Sequence, residues 1–106
     1  MFVRYSSEQA NDSSSCIQII GEIDIYSAGN FKNEIIEFGS SDYCKENLLI
    51  DCSQLNYMDS QGLNALACLY NNLRSQRKKM TLMNTNSNIR KLLHIAELDR
   101  VISLRN

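Results

Sequence analysis

From Leu48 to Leu73 the chain reads LLIDCSQLNYMDSQGLNALACLYNNL, and this stretch restricts the possible folds more than any other. It opens with three consecutive apolar residues, Leu48, Leu49 and Ile50, the kind of run that makes a buried strand. It closes with Leu63, Leu66, Ala67, Tyr70 and Leu73, spaced three and four apart as on one face of a helix. A strand that leads directly into a long helix is half of a βαβ unit, which implies parallel pairing. Between the two lies Asp59-Ser60-Gln61-Gly62. Asp and Ser both cap helices well, because a side-chain oxygen accepts from backbone amides that otherwise lack partners. The spacing predicts a helix starting at about Ser60. The same position leaves the Ser60 hydroxyl exposed on a rigid scaffold at the positive end of the helix dipole. Ser60 is therefore either a cap or a group that something acts on, and the residues alone leave both readings open.

The rest of the chain extends this unit in both directions. Phe2–Tyr5 reads as a short first strand, Asn11–Ser15 as a turn, and Cys16–Ile20 as a second strand that completes a hairpin. Gly21–Asp24 changes direction, and Ser27 is placed to cap a helix with Ala28, Phe31, Ile35 and Phe38 on its apolar face. After the central strand (Leu48–Cys52) and the long helix come a polar exit at Arg74–Lys79 and a strand at Met80–Met83. Ser87 then caps a helix bearing Ile89, Leu92, Leu93 and Ala96, and Val101–Leu104 is a last short strand. The order β, β, α, β, α, β, α, β describes a single α/β domain over residues 1–106, with a small mixed sheet backed by helices. At 106 residues there is room for one core and not for two.

Composition narrows the function classes. A formal net charge of −1 gives no reason to expect direct contact with nucleic acid or an anionic membrane. No segment has the length of a membrane span, and the start of the chain lacks a basic region followed by an apolar one, so a cytoplasmic protein is expected. Cys16, Cys44, Cys52 and Cys68 show no CxxC spacing and read as reduced thiols packed inside. His94 is the only histidine and has no neighbour at ligand spacing, so no metal site and no cofactor are expected. A Ser-His-Asp hydrolase would need the G-x-S-x-G elbow that Ser60 lacks, and no phosphate-binding glycine loop occurs, so the reading is non-enzymatic. Arg74, Arg77, Lys78 and Lys79 read as a solvated helix end. Asp24, Asp51 and Asp59 fall near strand ends or loops, and three such acids could suit a phosphoacceptor-aspartate receiver. The opening hairpin argues against five regular βα units. Asp51 then stabilises a loop and Asp59 caps the long helix. Gly62 allows close approach either of a partner or of the sheet.

Three stretches go further. Gly21-Glu22-Ile23-Asp24-Ile25-Tyr26-Ser27-Ala28, Leu49-Ile50-Asp51-Cys52-Ser53 and Tyr57-Met58-Asp59-Ser60-Gln61-Gly62-Leu63 resemble the STAS family, in particular the bacterial anti-sigma factor antagonists. Ile89–Leu93 and Leu98–Ile102 fit as well, so the resemblance spans essentially the whole chain. It implies partner switching. The unphosphorylated protein binds an anti-sigma factor that is also a serine kinase, which frees a sigma factor. The kinase then uses ATP to phosphorylate the serine after the motif aspartate, here Ser60, and the complex dissociates. A metal-dependent serine phosphatase resets the switch. The resemblance places Asp24 and Ser27 in a loop beside the switch serine, with Asp59, Gln61 and Gly62 completing the partner surface. The alternative is a STAS scaffold in another signalling complex, never modified at Ser60. A monomer or a weak dimer through the opening hairpin is expected. Four positions depart from the family pattern. Gln61 stands where a small residue is usual, and Asn64 replaces a common glycine. Arg77-Lys78 replaces a glycine-containing turn, and Gly29 occupies a frequent proline position.

Overall fold

A computed structural model describes residues 2–5 and 13–105. Strands β1 (Phe2–Tyr5) and β2 (Ser14–Ile23) are followed by α1 (Ala28–Gly39), β3 (Asn47–Met58), α2 (Ser60–Ser75), β4 (Lys79–Met83), α3 (Ser87–Ile95), a 3-10 turn over Leu98–Arg100, and β5 (Ser103–Arg105). The five strands form one sheet in chain order, β1-β2-β3-β4-β5, with β1 antiparallel to β2 and every other pair parallel. This is the mixed α/β sheet expected. Right-handed crossovers between consecutive parallel neighbours place all three helices on one face.

Period-2 alternation explains which residues face those helices. Ile17, Ile50 and Leu82 stand opposite one another across β2, β3 and β4, and all are buried. Phe31 and Ile35 of α1, Leu66, Leu69 and Leu73 of α2, and Ile89 and Leu93 of α3 cover them. Burying one such Leu or Ile side chain stabilises the fold by about 2 kcal/mol. Tyr5 ties the edge strand to α1: its hydroxyl donates to Glu34 Oε1 at 2.9 Å, and its ring lies 4.9 Å from that of Phe38. Partial burial first, and then the Glu34 carboxylate, push the phenol up to about 12.

Several boundaries differ from the sequence reading. Strand β3 continues past Cys52 to Met58, so Asp51 lies inside a strand and not at its end. Its carboxylate accepts from Ser53 N, Gln18 Nε2 and Asn84 Nδ2, bracing the sheet face away from the helices. Partial burial alone would raise its pKa, but these donors outweigh burial and hold it below the usual carboxylate value. Strand β2 runs from Ser14, inside the expected turn, whose residues 11 and 12 lie outside the described residues. Its pairing with β3 slips between Gln18 and Ile20 and again between Gly21 and Glu22, with Gly21 at φ 101°. The α2 face against the core is Gly62, Ala65, Leu66, Leu69 and Leu73, while Leu63, Ala67 and Tyr70 sit at its half-buried margin. Asn86, not Ser87, caps α3, its side chain accepting from Ile89 N at 2.9 Å. Ala96 lies beyond α3 and is exposed, and Val101 precedes β5. All four cysteines are free thiols. Cys44 and Cys52 are buried, whereas Cys16 and Cys68 are only half-buried.

Candidate functional site

The junction between β3 and α2 is built around one carboxylate. Asp59 is the N-cap of α2, and its Oδ1 accepts from Gln61 N at 2.9 Å and Gly62 N at 3.2 Å. Its Oδ2 accepts from Ile25 N at 3.1 Å, in the loop between β2 and α1. The Asp59 amide in turn donates to Ile23 O at 3.2 Å. One side chain thus fastens two segments 34 residues apart in sequence.

That loop is braced from within. Asp24 Oδ1 accepts from Tyr26 N and Ser27 N at 2.9 and 3.1 Å, the geometry of an Asx turn. Ser27 occupies the N-cap position of α1, yet its side chain caps nothing there. Its Oγ accepts instead from Asp24 N at 3.0 Å and lies within donor reach of Glu22 O and Asp24 Oδ1. With its polar groups turned inward, the loop leaves its apolar residues outside: Ile25 is 67% exposed and Tyr26 is 90% exposed.

Ser60 is the first residue of α2, exposed, and not the cap. Asp59 does the capping, and among the described residues the Ser60 hydroxyl makes no hydrogen bond. Gln61 beside it is also exposed. Gly62 is buried, and a Cβ there would stand 2.5 Å from Met58 Cγ and 2.9 Å from Ile23 O. The missing side chain lets the first turn of α2 lie against β2 and β3, the sheet-packing alternative for this glycine. Beside Ser60 opens a cavity of about 490 Å³ whose walls include Tyr57, Met58, Asn88, Lys91 and Ile95.

The structure therefore gathers Asp24, Ser27, Asp59, Ser60, Gln61 and Gly62 at one end of the sheet. It separates Asp51 from them, and no group of three His, Cys, Asp or Glu able to hold a metal occurs among the described residues. His94 stands apart on the last turn of α3, with Nδ1 2.9 Å from Asp99 Oδ2. Sequence reasoning missed the exposed apolar members of this surface, Ile25, Tyr26, Tyr57 and Ile95. The available signal was two large apolar residues inside a turn, between Asp24 and Ser27, where a core-facing role is excluded.

At the opposite end of α2 the cations are not simply solvated. Lys78 Nζ donates to Gly39 O at 2.7 Å and Ser41 O at 3.3 Å, closing the carbonyl end of α1.

Curated relatives include the anti-sigma-B factor antagonist of Listeria monocytogenes, 28% identical over 92 residues that cover 85% of this chain and 77% of that one. The Listeria innocua protein of the same name matches equally well. A putative anti-sigma factor antagonist of Thermotoga maritima has the same fold, with a TM-score of 0.83, 19% identity, and coverage of 96% of this chain and 84% of that one. The Bacillus cell fate determinant SpoIIAA in its phosphorylated form superposes with a TM-score of 0.69 at 17% identity, over 96% of this chain and 91% of that one. The STAS domain of a Vibrio cholerae SulP transporter does so with 0.72 at 15% identity, over 92% of this chain and 77% of that one. No helix among the described residues is long and apolar enough to cross a membrane. A family model for the STAS domain matches residues 5–106, so strands β2 to β5, the Asp59 junction and nearly the whole chain fall within it, and the protein belongs to the STAS domain family.

Proposed function

We propose that this STAS domain is an anti-sigma factor antagonist, which docks on an anti-sigma factor through the Asp59 junction and releases it when Ser60 is phosphorylated. The observation that carries this reading is the state of Ser60: an exposed hydroxyl, free of any capping duty, set among exposed apolar residues on a braced surface. The names of the Listeria relatives supply the partner class. The contact surface comprises Ile25, Tyr26, Ser60 and Gln61. Asp24, Ser27 and Asp59 hold the backbone beneath them, and Gly62 sets how close α2 lies to the sheet. A phosphate adds about −1.5 to −2 charges. The amides of Gln61 and Gly62 are already engaged by Asp59, so the new charge would face that carboxylate without those two donors. The fold would survive and docking would not. A serine kinase, expected to be the anti-sigma factor itself, and a serine phosphatase complete the cycle. The protein itself carries out no catalysis, and the reading puts it in the cytoplasm.

The test is a pull-down from native lysate with added ADP, using wild type and Ser60→Asp as baits. Wild type should retain an ATPase-fold serine kinase that Ser60→Asp loses, with binding weakened by at least about tenfold. Equal retention of a partner without kinase activity would overturn the switch and leave a scaffold.

A further inference from the structure

The three helices lie on one face of the sheet, and among the described residues no further element covers the other. Phe2, Arg4, Cys16, Gln18, Ile20 and Asp51 stand on that open face, alternating along their strands with the buried residues that meet the helices. None of the six is fully buried, and Phe2 is 58% exposed. Layered folds close a sheet face of this kind against a second layer.

The charges on this face stand in a fixed order. Arg4 lies opposite Gln18 across β1 and β2, and Gln18 lies opposite Asp51 across β2 and β3. A cation and an anion thus flank Gln18 in one row, about 10 Å apart and too far to pair with each other. Asp51 takes its hydrogen bonds from neutral groups, Gln18 Nε2 among them. The Arg4 guanidinium has no hydrogen bond or ion pair among the described residues. Arg4, Cys16, Ile17, Gln18 and Asp51 line one hollow of about 220 Å³, smaller than the usual site for an organic ligand.

We propose that this face receives a second copy of the chain, the two sheets packing about a two-fold axis along β2 so that Arg4 of each copy pairs with Asp51 of the other. Such an axis lays β1 of one copy over β3 of the second and keeps each row opposite itself. Cys16, Gln18 and Ile20 then each face their own counterpart, and Phe2 is covered by β3. The row continues from Asp51 through Met83 to Arg105, which decides against the other two-fold arrangements. An axis along β3 would overlap more strands, but it sets Asp51 against Asp51 and Arg4 against Arg105. An axis along β4 would pair Asp51 with Arg105 but leave Phe2 and Ile20 uncovered, and Arg105 Nη2 already lies 3.3 Å from Met83 Sδ. The overlap of three strands, one of them four residues long, falls below the roughly 800 Å² per partner of a standard interface, so the dimer is weak.

The test is sedimentation equilibrium of the full chain from about 20 µM to about 2 mM, where a Kd of about 300 µM is expected. Arg4→Glu sets a carboxylate against Asp51 of the second copy and should weaken the dimer at least about tenfold. Its Tm should stay at the wild-type value, because the Arg4 side chain is exposed and unpartnered among the described residues. Arg4→Lys keeps the charge and should hold Kd within about threefold of wild type. Packed sheets lie about 10 Å apart, too far for a disulfide, so a bismaleimide with a spacer of about that length is the fitting cross-linker. In Cys68→Ser chains it should join Cys16 to Cys16, since Cys44 and Cys52 are buried. Mildly alkaline conditions are needed, because burial first, and then Asp51, hold the Cys16 thiol above its usual value. A monomer at about 2 mM, an unchanged Kd in Arg4→Glu, or no dimer linked through Cys16 would each overturn the proposal. Pairing through the free edge of β1 would produce the second and third of these results. None of these readouts depends on Ser60.

Discussion

The two ends of α2 treat charge in opposite ways. At its start the Asp59 carboxylate is engaged by Gln61 N, Gly62 N and Ile25 N, and Ser60, Gln61, Ile25 and Tyr26 are left exposed around it. At its end the backbone carbonyls have local donors, and the charge left over is three cations, Arg74, Arg77 and Lys79, without acidic partners among the described residues. The start already holds the Asp24 and Asp59 carboxylates, so a phosphate on Ser60 would add charge of the same sign beside them. At the end of α2 the exposed charge has the opposite sign. The same helix thus runs from an end where carboxylates are held by backbone amides to an end where cations stand exposed.

The sharpest way to break the first end is at Gly62. Gly62→Val places carbon where Ile23 O and Met58 Cγ already stand, and chemical denaturation should show a loss of about 3 kcal/mol. The Ile23 carbonyl is backbone and cannot move aside as a side-chain tip would. A smaller effect is expected at Asp59. Asp59→Ala removes the acceptor for three amides and should cost about 1.5 kcal/mol. Hydrogen exchange should quicken at the Ile25 amide as well as in the first turn of α2, and protection of Ile25 unchanged from wild type would mean that the two segments are not fastened by this group. Ser60→Ala is the smallest, within about 0.5 kcal/mol of wild type, because the hydroxyl has no partner among the described residues to lose. A loss as large as that of Asp59→Ala would return Ser60 to the role of cap and erase the contrast between the two ends.

The sheet and helices were legible where apolar spacing follows a single period, as it does for Leu48–Ile50 and for Phe31 and Ile35. They were less legible where geometry departs from that period. Strand β3 hides its second half because two register slips against β2 leave Leu55 and Met58 buried three apart, with Asn56 and Tyr57 exposed between them. The buried face of α2 was read a few residues off, because Gly62 and Ala65, which bring the helix close, carry too little side chain to stand out beside Leu63 and Tyr70. The motif around Ser60 stood out in the sequence, and which of two adjacent good caps would act did not. Asp59 wins because its second oxygen also reaches Ile25 N, a contact that only the folded chain creates. Ile25 and Tyr26 escaped notice for a similar reason, since their exposure follows from Asp24 and Ser27 turning their polar atoms inward.

The double grip of Asp59 also bears on how fast and how tightly a partner can dock. A loop that is free before docking gives up backbone freedom on contact, about 1–2 kcal/mol for each residue fixed. Here Ile25 is held to the helix start before any partner arrives, so that loss has already been taken during folding. A partner that docked here as proposed would meet a loop already set on this side, and its association would not wait for that loop to settle.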